Sequence, residues 1–229
     1  MIESIEGKRG EPRLRPPYVA QVGLFGRPTL EHNMETLHWV RDILEKGPGW
    51  FAGHGRHGRK GLRSFSVSGR VKKPGVHLAP AGITVTELID EYCGGMLDGH
   101  VFYGYLPGGA SGGILPASMA DIPLDFDTLN QHGCFIGSAA IVILSDHGHR
   151  DECRAQSDEV LFRGILRPVH ALPRRHGRRP SILMERTSWD QPLLKELSQA
   201  MVDASICGLG QAAPNPALSV MKYFPQEIT

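Results

Sequence analysis

Ser205-Ile206-Cys207-Gly208-Leu209-Gly210-Gln211-Ala212-Ala213-Pro214-Asn215-Pro216 is the stretch on which the reading of this chain turns. A cysteine set among small residues and glycines can bring its sulfur and the nearby backbone N–H groups close to a bulky group. An iron–sulfur cluster uses such a site, because thiolates bind the iron and N–H groups tune the sulfurs. A cluster takes about four such ligands. Yet Cys207 has no other cysteine within fifty residues.

Helical patterns flank the stretch. Upstream, Asp190 is placed to cap a helix whose Leu193, Leu194, Leu197, Ala200, Met201 and Ala204 recur at intervals of three and four. Downstream, Asn215 is expected to cap a last helix with Pro216 in its first turn; that helix carries Leu218, Val220, Met221 and Phe224, and Pro225 stops it. Cys207 is therefore expected in a loop held between two helices.

Further towards the N-terminus the pattern changes. Phe65 and Val67 alternate with serines, as in a half-buried strand. Lys72-Lys73-Pro74-Gly75 reads as a turn into a second strand, Val76 to Ala79. Thr84 or Thr86 can cap a helix with Val85, Leu88, Ile89 and Tyr92, ended by Gly94-Gly95. Val101 to Leu106 is a third strand, and the apolar, β-branched run Ile141-Val142-Ile143-Leu144 a buried one. The fold class is α+β: a ubiquitin-like β-grasp module over 61–118, then a helical domain over 119–229. Residues 1–30 are polar and rich in proline and glycine, and are expected to be extended. Met34 to Lys46 has helical spacing of Leu37, Val40 and Leu44, with Asn33 as its cap.

The bulk properties exclude several classes. With 41% hydrophobic and 21% charged residues the chain suits one or two compact units. A net charge of +1 gives no general case for binding nucleic acid. No apolar run approaches the ~20 residues of a membrane span, so no direct membrane insertion is expected. Four cysteines (93, 134, 153 and 207) without a CxxC fit a reducing cytoplasm better than a disulfide scaffold.

Other candidate sites each face a plainer reading. The histidines of 52–61 suggest a metal only weakly, and a flexible basic loop accounts for them. Pro107-Gly108-Gly109-Ala110-Ser111-Gly112-Gly113 could approach a phosphate, but it leads into no helix and lacks a Lys-Ser/Thr pair, so a close-packed loop is the better reading. Asp121, Asp125 and Asp127 could do acid–base work, but their alternation with Ile122, Leu124 and Phe126 suits a surface segment. Cys134 reads as packed. No catalytic nucleophile or acid–base pair is identified.

Several segments, in order along nearly the whole chain, resemble the NADH-binding flavoprotein subunit of NADH:quinone oxidoreductase and its relatives. They are Ile2-Glu3-Ser4-Ile5-Glu6-Gly7-Lys8-Arg9-Gly10, Gly26-Arg27-Pro28-Thr29, Asn33 to Leu37, Phe65 to Gly69 and Pro107-Gly108-Gly109. The forms Gly104 to Gly113 and Cys207 to Pro216 look closest to the β subunit of soluble NAD-dependent formate dehydrogenase. The resemblance implies the tail of a flavin- and NADH-binding domain with a linker helix over 1–60, an SLBB-type β-grasp over 61–118, and an iron–sulfur-binding helical bundle over 119–229. It implies FMN, NAD and a four-iron four-sulfur (4Fe-4S) cluster as cofactors. It also implies the other subunits of a formate dehydrogenase or NADH dehydrogenase complex as partners, and electron transfer as the activity. Cys207 matches the family's fourth cluster ligand. Asn33 matches one of an asparagine pair on the FMN side, where His32 departs. The flavin domain's glycine-rich fingerprint is missing, so this chain is not expected to hold FMN or NADH by itself. The family's CxxCxxC, which supplies the other three ligands, is also missing.

It should fall in a tract of unusual composition, 147–180. That tract holds eight of the eighteen arginines and none of the seven lysines. An arginine patch for RNA would want aromatics to stack bases, and Phe162 stands alone there. His147, His149 and Cys153 are poorly spaced for a metal. The genetic code gives another reading. Leu166-Arg167-Pro168-Val169-His170-Ala171-Leu172-Pro173-Arg174 is one translation of CTG CGG CCA GTG CAC GCC CTG CCG CGC. Read one base on, that string gives Cys-Gly-Gln-Cys-Thr-Pro-Cys-Arg, the family's missing motif. Two compensating frameshifts, near 146–151 and near 180, would explain the tract. Low in periodic apolar residues, it is expected to be exposed or poorly ordered.

Overall fold

A computed structural model describes residues 1–147 and 189–228. Apart from His147, the tract 147–180 lies outside the described residues, and so do the expectations placed on it. The chain forms two compact units, Met1–Trp50 and Phe51–Thr229.

The first unit is knit by charge rather than by a core. It opens with a short helix, α1 (Ile2–Ile5). Arg13 pairs with both Glu3 and Glu6. The Glu6 carboxylate also accepts from Lys8 Nζ at 2.7 Å and from the Phe25 N–H at 2.7 Å. Lys8 first, then the Phe25 amide, hold the Glu6 carboxyl below its ordinary range. Residues 1–30 are thus tied into turns around one carboxylate, where the composition alone suggested an extended run. Helix α2 (Met34–Lys46) follows. Asn33 caps it as expected, its side-chain oxygen accepting from the Glu35 N–H at 2.8 Å and the Thr36 N–H at 3.4 Å. None of the α2 residues is buried, and Leu44 is 80% exposed. A third helix, α3 (Pro48–Ala52), ends this part of the chain.

The second unit is built on a mixed five-stranded sheet. Its strands are β1 (Leu62–Gly69), β2 (Gly75–Pro80), β3 (Phe102–Leu106), β4 (Leu115–Pro116) and β5 (Ala140–Ser145), in the order β2-β1-β5-β3-β4. β5 runs parallel to β1 and antiparallel to β3. The central strand therefore comes from beyond residue 118, and the sheet crosses the boundary drawn there.

Strand alternation sends the side chains of β5 to two separate cores. Ile141 and Ile143 join Phe65, Val67, Tyr105 and Leu115 in the first. This core is closed by Ile83, Leu124, Leu129, Ile136 and the helix after Thr84. That helix, α4, starts as Val85–Glu87 and continues as a π turn over Leu88–Tyr92. A reciprocal capping box starts it: Thr84 Oγ1 accepts the Glu87 N–H, and the Glu87 carboxylate accepts the Thr84 N–H at 2.9 Å. Leu144 meets Leu106, Ile114 and the C-terminal helices in the second core. These helices are α5 (Gln191–Ala204), α6 (Gly208–Ala212) and α7 (Asn215–Tyr223). They supply Leu194, Met201, Ala217 and Val220, and Ala213 joins them from the turn between α6 and α7. Asp190 caps α5 through the Leu193 N–H at 3.2 Å.

The segment 52–61 is not a free basic loop. Arg56 donates to both oxygens of Glu91, at 2.7 and 2.8 Å, and its own N–H donates to the Ala81 carbonyl. His57 lies 3.1 Å from Glu87, and Arg59 donates to Asp127 at 2.9 Å. Each partner is distant in sequence, so charges on other elements pin the loop.

Three outcomes are expected. Thr84→Ala removes the cap and lowers the denaturation free energy by about 1 kcal/mol. Ser219→Ala removes the hydroxyl that accepts the buried Ile114 N–H at 2.8 Å, and costs about 1–3 kcal/mol because that donor is left unpaired. Urea titration reads both. The third concerns pH. Glu91 and Asp127 are held below their ordinary values of 4.5 and 3.8, chiefly by Arg56 and Arg59. Burial opposes ionisation of Glu87, but the Thr84 amide, His57 and Arg56 outweigh it, and its carboxyl also lies low. Depressed carboxyls stabilise the fold above their unfolded pKa and stop doing so as the pH falls through the folded one. Their contribution is level from pH 7 down to about 5 and declines below about 4.5, measurable as a falling urea midpoint.

Candidate functional site

The two glycine-rich stretches singled out in the sequence meet in the second unit. The loop 107–113 leaves β3 and packs tightly on its surroundings. A Cβ at Gly108 would collide with the Phe135 carbonyl oxygen, and one at Gly113 would collide with the Cys134 sulfur. This close fit gives the glycines a packing role and favours the packed-loop reading over a phosphate cradle.

The segment 207–216 seats against that loop. Asn215 Nδ2 donates to the Ser111 carbonyl at 3.3 Å, and the Ile114 N–H donates to Ser219 Oγ on α7 at 2.8 Å. Asn215 therefore bridges to the loop. Its side chain does not cap α7, which starts without a side-chain cap. Ala213 is fully buried, so the approach of chain to chain here needs small residues.

Cys207 occupies the N-cap position of α6, with extended backbone and a half-buried side chain. Its carbonyl accepts the Gln211 N–H at 3.2 Å, and Gln211 Nε2 donates to the Ser205 carbonyl at 3.3 Å. The loop is thus closed on itself around the cysteine. Two residues away, Ser205 Oγ is buried and finds no hydrogen-bond partner among the described residues. One thiol and one unpartnered hydroxyl are what the described residues bring to this place.

The other described cysteines are elsewhere. Cys93 and Cys134 are 0% and 2% exposed, within the first core. Burial raises the Cys93 thiol above its ordinary value and pushes Cys134 up to about 12. Such thiols stay protonated and are poor metal ligands. Among the described residues no three His, Cys, Asp or Glu gather to hold a metal ion. The residues described therefore do not fit a four-thiolate cluster.

The remaining candidates each have a partner within the fold. Asn33 uses its side-chain oxygen to cap α2, in the unit that does not contain Cys207. Asp125 and Asp127 pair with Arg63 and Arg59, and Asp121 accepts from Thr86 at 3.4 Å. These carboxylates are engaged with other side chains rather than paired for acid–base work. His147 places Nε2 3.0 Å from the Gly99 carbonyl and its ring edge-on to His100. The contact between loop 107–113 and segment 207–216 was not foreseen; the shared excess of small residues was its only trace in the sequence.

Comparison with known proteins places this geometry. Residues 64–115 match the SLBB domain, and residues 181–229 match the NADH-ubiquinone oxidoreductase-F iron-sulfur binding region. The second match starts one residue past the anomalous tract. The NADH-quinone oxidoreductase F subunit numbered 2 of Rhizobium meliloti (strain 1021) is 41% identical over 99% of this chain and 55% of its own length. The NADP-reducing hydrogenase subunit HndC of Solidesulfovibrio fructosivorans is 34% identical over 99% of this chain and 47% of its own length. A crystal structure of an NAD+-reducing NiFe-hydrogenase, in the H2-reduced state, superposes with a TM-score of 0.81 at 28% identity, over 99% of this chain and 39% of that one. The chain spans about half the length of the curated relatives it matches. No described helix is long and apolar enough to cross a membrane. With matches to the SLBB domain and the iron-sulfur binding region in sequence, the chain is similar, over 99% of its length, to about half of an F subunit of NADH-quinone oxidoreductase and of a subunit of NADP-reducing hydrogenase.

Proposed function

We propose that this chain acts within an electron-transfer subunit of an NAD- or NADP-linked redox complex, of the NADH-quinone oxidoreductase or hydrogenase kind. The observation that carries the reading is likeness of both sequence and fold over 99% of the chain. The named relatives favour these complexes over a formate dehydrogenase, which the glycine-rich forms had brought forward. In this reading the sheet is a β-grasp, the C-terminal helices form the iron–sulfur side, and the unit Met1–Trp50 adjoins a flavin-bearing portion. FMN and NAD belong to that portion, with Asn33 on its FMN side. Cys207 stands at the place of a cluster ligand. The partners are the other subunits of the complex, and the location is cytoplasmic.

A second reading draws on the thiol count. A module that has one half-exposed cysteine at its cluster loop can still serve assembly, holding partner subunits through its SLBB domain without passing electrons. Purification of the tagged chain from its own host under anaerobic conditions separates the two. The first reading expects partner subunits in the eluate together with NADH-dependent dye reduction. Partners without that activity favour the assembly module. A chain that elutes alone, without NADH-dependent dye reduction, overturns both.

A further inference from the structure

We infer that this folded chain cannot supply four thiolates to a cluster, and that recoding its aberrant tract one base on is sufficient to restore them. The inference rests on the iron–sulfur reading above. It starts from a count. The chain has four cysteines. Cys93 and Cys134 are sealed in the first core, while Cys207 follows α5, whose apolar side builds the second. Alternation along β5 places these cores on opposite faces of the sheet. Neither buried sulfur reaches Cys207 unless the sheet comes apart. Two cysteines remain, Cys207 and Cys153, against about four ligands for a cubane cluster.

The deficit coincides with the tract 147–180. The tract 147–180 falls between the matched regions, which end at 115 and resume at 181. It holds eight of the eighteen arginines and none of the seven lysines. Within it, the codons permitted for Leu166–Arg174 contain, one base on, a string with three cysteines. In that string the first and third bases of each new codon are largely forced by the protein sequence, and only the middle base is mostly free. Random sequence rarely meets so many constraints at once. The fourth partner is still in place: the Cys207 loop is closed by Gln211 and seated on loop 107–113, with Ser205 Oγ left unpaired beside it.

The nucleotide sequence gives the first test. The codons for Leu166–Arg174 are expected to encode Cys-Gly-Gln-Cys-Thr-Pro-Cys one base on; any other string there overturns the inference. The second test compares three full-length proteins after anaerobic reconstitution with iron and sulfide: the chain as it stands, the chain with 151–180 recoded one base on, and the recoded chain carrying Cys207→Ser. Iron and acid-labile sulfide per chain are the readout. The unaltered chain is expected well below half a cluster, the recoded chain near a full one, and Cys207→Ser back at the lower level. A full cluster in the unaltered chain overturns the count. A recoded chain that binds no more than the unaltered one overturns the sufficiency of the repair, while co-purification of partner subunits still tests the function separately. Iodoacetamide checks the fold in each protein: Cys93 and Cys134 are expected to react only after denaturation, and labelling of either in the native chain removes the premise.

Discussion

The second unit depends on a turn that has no room for a side chain at two of its positions. The loop 107–113 must lie directly on the backbone of Phe135 and on the Cys134 sulfur, and only glycine at 108 and 113 allows it. Either side of the loop the chain delivers one residue to each core. Tyr105 and Leu115 enter the first, Leu106 and Ile114 the second. The same loop offers its Ser111 carbonyl and the Ile114 N–H to the helical segment that follows Cys207. The position of the candidate ligand is thus inherited from a strand connection distant in sequence.

That arrangement holds Cys207 in place without using its sulfur. The matched regions fold around apolar contacts and backbone hydrogen bonds that make no use of a cluster. Cys207 is held by hydrogen bonds from Gln211 and by the seating of Asn215, none of which involves its sulfur. Sequence and fold can therefore point to ancestry independently of how many ligands the described residues bring together. Likeness over 99% of the chain is compatible with finding no metal-ligating cluster among the described residues.

Much of the fold was legible because the signals are local. Alternation of Phe65 and Val67 with serines gave β1, the run Ile141–Leu144 gave β5, and Asn33, Thr84 and Asp190 each cap the helix that follows. What escaped was long-range. Nothing in the neighbourhood of β5 says that it inserts between β1 and β3, since pairing partners of a strand are chosen by burial of its faces. Likewise, the loop 52–61 looked free because Glu87, Glu91 and Asp127, which pin it, are distant in sequence. Asn215 was assigned the common role of its residue type, and the nearby carbonyl of Ser111 took it instead. At the site, Cys207 was expected in a loop between two helices, but it caps a third, α6, whose glycines gave no helical signal; the burial of Cys93 required the packed core to be seen.

A single strand serving two cores also bears on how the unit comes apart. Ile141 and Ile143 cannot leave the first core without withdrawing Leu144 from the second, because all three sit on one short piece of backbone in the middle of the sheet. Melting of the C-terminal helices exposes one side of β5 and weakens the pairing that holds the other. The two cores consequently form one cooperative block, with their most protected amides on β5 and β1. The helical region is thereby coupled to the sheet through one strand.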